Sequence, residues 1–173
     1  DYRHWLEDRS IDTRAVKTVD GKFTASFFVN TDLSNNQIAS FYTGAMADAA
    51  SLSLRDLHGD ADYVVISPND PIAMRKYVQE CIELKIPYLY DPSQQVARND
   101  HNDLRDGVEG AQALFANEYE FELLQKHTGV TDKKMVATIP LVVVTLGAKG
   151  ASVYTGGRKV AIGIVPSAHI VDP

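Results

Sequence analysis

A single cysteine, Cys81, rules out an intrachain disulfide. Its place in an amphipathic helical pattern makes it a small core residue rather than a nucleophile. Basic runs are missing and the formal net charge is −6, so the chain carries no footprint for nucleic acid or for an anionic membrane surface. The longest apolar runs fall far short of the roughly 20 residues that a membrane span needs. Residues 1–20 are charged rather than signal-like, which makes the cytoplasm the expected compartment. The histidines, His4, His58, His101, His127 and His169, are scattered, without metal-ligand spacing or a helical i, i+4 pair. Both common glycine fingerprints for nucleotides are also missing. No Gly-x-x-x-x-Gly-Lys-Ser/Thr follows a strand, which excludes a P-loop, and no Gly-x-Gly-x-x-Gly occurs, which counts against a nicotinamide-dependent oxidoreductase. Nor is there an internal repeat, a low-complexity tract or a linker-like boundary.

What is present suffices for a sizeable core. With 173 residues, 45% of them hydrophobic and 23% charged, a single globular domain is expected over 1–173. Residues 22–43 alternate with period two: Phe23, Ala25, Phe27 and Val29 share one face, and Thr24, Ser26, Phe28 and Asn30 the other. The turn-rich Thr31-Asp-Leu-Ser-Asn-Asn36 then leads into Gln37–Tyr42, so this segment predicts a β-hairpin. A lone hairpin is marginal in water and needs a cover. A substrate, a second subunit or the edge of the main sheet would each serve.

From residue 45 onward strands and helices alternate. Strands are expected at 61–66, 86–90, 113–116 and 141–146. Helices are expected from Asp70-Pro71 to about Lys85, from about 103 to 112, from 118 to 127 and, as a short one, before 141. Asp70 supplies the N-cap and Pro71 the first helical position of the first of these, and Gly129 closes the helix after Glu118. This order implies parallel pairing in an α/β sheet. Gly156-Gly157, between Ala151–Tyr154 and Lys159–Ile162, signals a closing hairpin.

Ligands of open α/β sheets bind outside the carboxyl ends of the strands, and polar residues gather at those ends. Asn117 and Glu120 leave one strand as Asn-x-x-Glu, a spacing that fits a capping box and equally a site for magnesium and phosphate. Glu122 falls elsewhere on that helix and is expected in solvent. Thr145-Leu-Gly-Ala-Lys-Gly150 leaves the next strand, with Gly147 and Gly150 free to take φ > 0 or to let a ligand approach the backbone. Asn69 ends a third strand just before Asp70, as a plain turn or as a polar contact. Asp91-Pro-Ser93 follows a fourth and either faces the cleft or, as the favoured expectation, forms an ordinary turn.

The order Asn-Glu-x-Glu and then Thr-Leu-Gly-x-x-Gly resembles the nucleotide half of the ribokinase-like (PfkB) carbohydrate and nucleoside kinases. Thr24–Thr31 followed by Asn36–Met46 resembles the lid strands of that family, most of all those of its bacterial and archaeal nucleoside kinases. The resemblance implies a ribokinase-like three-layer α/β sandwich with a mainly parallel central sheet and a β-hairpin lid. It also implies ATP-dependent phosphoryl transfer to a nucleoside such as adenosine, or to a sugar. On this resemblance Asn117 and Glu120 organise Mg²⁺ and the phosphates, Glu120 acting on the metal indirectly. Thr145, Leu146, Gly147, Ala148, Lys149 and Gly150 hold the nucleotide, and Asn69, Phe27 and Phe41 face the acceptor. A glutamate of ribokinase falls where Asn69 stands, which leaves the acceptor open. The lid implies a homodimer, and Asp172 is placed at a monovalent cation, K⁺. The family's first acceptor-binding aspartate and Gly-Gly pair are not in the chain. Its catalytic Asp-x-x-Gly-x-Gly-Asp segment would start at Asp172, which puts the base beyond Pro173. Residues 1–173 alone are therefore expected to bind nucleotide without turnover. The rival class is a non-catalytic nucleotide- or small-molecule-binding α/β module.

Overall fold

The computed structural model describes residues 2–33, 36–57 and 59–166. After a short helix α1 (Tyr2–Glu7), strands β1 (Ser26–Thr31) and β2 (Gln37–Tyr42) pair antiparallel and, among the described residues, only with each other. The main sheet runs in sequence order: β3 (Val64–Ile66), β4 (Tyr88–Tyr90), β5 (Ala113–Asn117), β6 (Leu141–Thr145), β7 (Ala151–Thr155) and β8 (Arg158–Ile162). Its first four strands are parallel, and β7 and β8 return antiparallel. Between them lie α2 (Pro71–Leu84), α3 (His101–Glu109), α4 (Glu118–Thr128) and α5 (Asp132–Thr138). The hairpin thus stands apart from an α/β sheet.

Helices α2 to α5 each begin where a side chain can take free N–H groups. Asp70 accepts from Ile72 N at 3.0 Å and Ala73 N at 3.2 Å, with Pro71 at the first position. Asp100 accepts from Asn102 N at 2.8 Å, which starts α3 two residues before the sequence-based boundary; it stops at Glu109. Strand bounds contract too. Residues 61–63 and 86–87 lie outside β3 and β4, because only 64–66 and 88–90 find ladder partners.

Parallel strands in sequential order, joined by right-handed crossovers, place their helices on one face, and α2, α3 and α4 do pack side by side. Ile66, Tyr88, Tyr90, Leu114, Ala116, Val142 and Val144 point to that face and are buried. Gly107 lets α3 approach: a Cβ there would lie 2.6 Å from the ring of Tyr90. Tyr88 completes the seam by donating to Gly107 O at 2.9 Å. Cys81 sits in this core, and burial pushes its thiol up to about 11, as suits a packing residue. Glu80, the residue before it in α2, is buried as well. It accepts from Ser53 Oγ and Leu54 N at 2.7 Å each, tying segment 51–57 to the helix. Among the described residues, no helix is long and apolar enough to cross a membrane.

Candidate functional site

Three consecutive parallel strands deliver their carboxyl ends to one place. β5 ends in Asn117 and β6 in Thr145, and the two residues are partners in the ladder. The polar constellations of these strands are therefore neighbours. Asn117 caps α4: its Oδ1 accepts from Glu120 N at 2.7 Å, and Glu120 Oε2 accepts from Asn117 N at 2.9 Å. The reciprocal bonds hold the Glu120 carboxylate over the strand end rather than out in solvent. Its other oxygen, Oε1, lies 3.4 Å from Ser93 Oγ.

Ser93 and its neighbour Asp91 thereby come beside Glu120, the cleft-facing alternative that the sequence left open next to an ordinary turn. Asp91 follows β4 and donates its N–H to Ile66 O at 2.9 Å. Burial first, and then the charge of Glu120, holds the Asp91 carboxyl above its usual range, with the Ser93 N–H pulling the other way. Ser93 takes a left-handed φ of 43°, uncommon for a residue with a side chain. Neither Asp91 nor Glu120 has an ion-pair partner among the described residues. Two neighbouring carboxylates and a hydroxyl without a counter-charge suit magnesium, which takes one or two carboxylates together with phosphate oxygens and water.

Beyond Thr145 the chain makes a closed turn. Leu146 N donates to Gly150 O at 2.7 Å, Lys149 N to Leu146 O at 3.1 Å, and Gly150 N to Gly147 O at 3.0 Å. The two glycines differ in what they answer. A Cβ on Gly150 would lie 1.9 Å from Ile162 O, so this glycine is required by the end of β8. Gly147 has φ 56° and nothing within 4 Å of a would-be Cβ, so its side of the turn is open. Ala148 and Lys149 are exposed beside it.

On the other side of Ser93, a cavity of about 720 Å³ separates the hairpin from the strand ends. Phe27 and Phe41, ladder partners in β1 and β2, form its lid wall. Met46 and Pro68 continue the apolar lining, and Ser93, Gln95 and Arg98 supply the polar wall. The last two escaped sequence reading because the 3-10 turn Ser93–Ala97, which Arg98 closes, has no periodicity to reveal which side it presents. Asn69 is not part of this cavity. Its Oδ1 is spent on Asp70 N at 2.8 Å, and it borders a smaller recess of about 220 Å³ that shares Met46. A hollow of about 570 Å³ lined by Arg14, Lys17 and Tyr77 contains none of the site residues expected from the sequence. Asp172, His58 and His169 lie outside the described residues. Two of the histidines that look scattered in sequence do meet: His101 opens α3, His127 lies near the end of α4, and their rings stand 4.6 Å apart. The described residues contain no group of three or more His, Cys, Asp or Glu side chains arranged for a metal.

The family model for pfkB family carbohydrate kinases matches residues 1–173. The nucleoside kinase of Methanocaldococcus jannaschii is 24% identical over 172 residues, which are 99% of this chain and 56% of that protein. The nucleoside kinase of Methanothermobacter thermautotrophicus is 28% identical over 177 residues, covering 100% of this chain and 56% of its own. Among solved structures, Burkholderia thailandensis nucleoside kinase in complex with inosine superposes with a TM-score of 0.91 at 24% identity, over 99% of this chain and 57% of that one. The same kinase in complex with ADP-inosine gives 0.89 at 24% identity, over 99% of this chain and 54% of that one. The fold is that of these ribokinase-like proteins, and the chain spans about half the length of the curated relatives it matches.

Proposed function

The chain belongs to the pfkB carbohydrate kinase family, and on that premise we propose that it serves ATP-dependent phosphoryl transfer to a hydroxyl of a nucleoside, with a sugar as the second acceptor class. The observation that carries this reading is an unbroken track along the strand ends. It runs from the open turn at Gly147, through Thr145, Asn117, Glu120 and Ser93, into the cavity under Phe27 and Phe41. Phosphoryl transfer requires donor and acceptor in line, with the protein contributing position and charge stabilisation. A turn that admits nucleotide at one end and a lidded cavity at the other meets that need. The relatives bear the name nucleoside kinase, and the inosine-bound neighbour supports a nucleoside before a sugar.

Thr145–Gly150 would receive ATP, and Glu120, with Asp91 beside it, would hold Mg²⁺ through its water shell. Magnesium bound with ATP neutralises phosphate charge. The chain's own residues orient: the Asn117–Glu120 box fixes the carboxylate, and Ser93 Oγ stands between the phosphate end and the acceptor end. Neither nearby carboxylate is a free general base, since Glu120 is held by Asn117 and Asp91 is half-buried beside it. The Gly-x-Gly-Asp pattern does not occur in residues 1–173. We therefore expect this polypeptide by itself to bind but not to transfer. Asp172 as a K⁺ site, Asn69 as an acceptor contact through its recess, and a cytoplasmic location belong to the same reading. So does a homodimer through the outer lid face, where Phe28, Ile38 and Tyr42 are exposed.

Calorimetry tests the proposal directly. Mg-ATP should bind the protein, and Gly147→Val should weaken that binding at least tenfold. Equal affinity of the two proteins would remove the turn from the nucleotide site. Transfer of ³²P to adenosine or ribose by residues 1–173 alone, free of contaminating kinase, would show that the base lies within them.

A further inference from the structure

Resting on the proposed acceptor cavity, we infer that the crossing of the two lid stems at Gly44, stapled by the Lys22–Asp48 ion pair, positions Phe27 and Phe41 over the acceptor and so sets nucleoside affinity from outside the cavity. Among the described residues, β1 and β2 pair only with each other, and no hydrogen bond or ion pair links either strand directly to the α/β sheet or its helices. The lid is therefore held by its root. The returning stem is anchored firmly: it passes into the 3-10 segment Gly44–Ser51, where Tyr77 Oη donates to Ala49 O at 2.6 Å and Lys76 Nζ to Ala50 O at 2.9 Å. The departing stem hangs from the returning one. Its two ties to that segment are the bond from Ala45 N to Phe23 O at 2.9 Å and the Lys22–Asp48 ion pair.

Gly44 is the residue on which the stems cross. Its φ of 49° lies in the left-handed region, and a Cβ there would lie 2.2 Å from Phe23 O and 3.0 Å from both Thr24 C and the Tyr42 ring. Phe23 O is the acceptor that Ala45 N uses, so an added methyl presses on the bond that joins the stems, and relief requires them to part. The ladder begins at Ser26 and Tyr42, and Phe27 with Phe41 is its second pair. At about 3.3 Å per residue, Phe27 stands roughly 10 Å along the chain from Thr24, so a small tilt at the root is magnified at the rings. A misplacement of about 1 Å can cost a factor of roughly 100 where geometry carries the function. Met46, two residues beyond the crossing, lines the cavity itself. Asn117 and Thr145, by contrast, end β5 and β6 within the main sheet, so the root acts on the acceptor end alone.

Equilibrium binding of adenosine and of Mg-ATP to the protein, to Gly44→Ala and to Lys22→Met tests this, with a thermal melt of each. Gly44→Ala should weaken adenosine at least tenfold and leave Mg-ATP within twofold. Lys22→Met removes a part-exposed ion pair, a contact that adds little to stability, so it should melt within about 2 °C of the parent and still weaken adenosine at least threefold. Lys22→Arg should restore the parent's affinity. Lys22→Met also carries the test if Gly44→Ala does not fold. A readout without ligand follows the lid directly: Phe27→Trp combined with Trp5→Phe leaves one tryptophan, on the lid wall, and adding Gly44→Ala or Lys22→Met should change its quenching by acrylamide at least 1.5-fold. Unchanged quenching overturns the inference and reduces Gly44 and Lys22 to folding contacts. So do variants that bind adenosine within twofold of the parent, and equal losses for adenosine and Mg-ATP, which mark general damage. A parent that binds Mg-ATP but neither adenosine nor ribose defeats the proposed acceptor and this inference together, whereas the preceding outcomes defeat the inference alone.

Discussion

Gly147 and Gly150 look interchangeable in the sequence, yet alanine at the two positions should have unlike effects. At Gly150, φ is 89° and ψ −129°, a region that residues with a Cβ occupy only at about 1–3 kcal/mol. The added Cβ would also lie 1.9 Å from Ile162 O and 3.0 Å from two atoms of Gly163. Ile162 pairs with Ala151 at the end of the β7–β8 ladder, so relief requires that strand end to move. Overpacking of this kind costs about 1–3 kcal/mol more. A total of about 4 kcal/mol, at about 2–4 °C per kcal/mol for a chain this size, lowers the melting temperature by roughly 8–16 °C.

Gly147→Ala meets no atom within 4 Å. It carries only the cost of a left-handed alanine, about 1–2 kcal/mol, and melts roughly 2–8 °C low. Its effect belongs on the ligand side, where the larger Gly147→Val should cost Mg-ATP at least a factor of ten. Differential scanning calorimetry and isothermal titration together separate the two kinds of damage. If Gly150→Ala melts within 3 °C of the parent, the β8 contact is not what requires glycine there. If Gly147→Ala proves the less stable of the two, the division of roles is reversed.

Asn117→Ala removes the cap acceptor and should destabilise the fold by about 1 kcal/mol, while Glu120→Ala should abolish the magnesium dependence of nucleotide binding; parallel melting and titration distinguish these losses. Asp91 holds its proton more tightly in the folded state than in the unfolded chain. Its stabilising contribution is therefore complete below the ordinary carboxylate value of 3.8 and is lost as pH rises through the raised one. Without metal, Asp91→Asn should melt higher than the parent at pH 7 and equally at pH 3, and Mg-ATP should narrow the gap at pH 7; a gap that persists at pH 3 refutes the assignment to this carboxyl. Phe28→Glu with Ile38→Glu should give monomers by light scattering if the outer lid face joins two copies, and a parent that is itself monomeric at micromolar concentration ends that proposal.

Much of the architecture was legible because local rules agreed with one another. Asp70-Pro71 and the capping box at Asn117 fixed two helix starts, Gly156-Gly157 fixed a hairpin, and period-two alternation marked β1 and β2. Boundaries were less legible. Ala61-Asp-Tyr63 reads like a strand by composition, but ladder pairing depends on a partner that no local pattern specifies. In the site, the neighbours Asn117 and Thr145 followed from strand order. For Asp91 and Ser93 the sequence left a cleft-facing position and an ordinary turn open, because the choice depends on Glu120, which lies 27 residues beyond Ser93 and reaches back across the strand ends. Gln95 is the extreme case. It lies in a 3-10 turn without hydrophobic rhythm, and its place in the cavity wall becomes visible only when every neighbour is in place.

Glu120 shows why structural and functional readings of one residue need not compete. As the third residue of a capping box it gives one oxygen to Asn117 N–H, and a cap alone would be equally well served by glutamine. A glutamate adds charge, and here that charge is placed beside Asp91 without a compensating cation among the described residues, where it raises the Asp91 carboxyl. Two like charges at a strand end are unfavourable for the isolated fold. They become favourable once a divalent cation with phosphate oxygens lies between protein and ligand. The capping bond fixes the carboxylate in advance, so little side-chain freedom remains to be lost when the metal arrives. Glu120→Gln tests this economy: it should keep the cap and the melting temperature, or raise the latter, while weakening Mg-ATP. A glutamine protein that binds Mg-ATP as the parent does would reduce Glu120 to a helix cap.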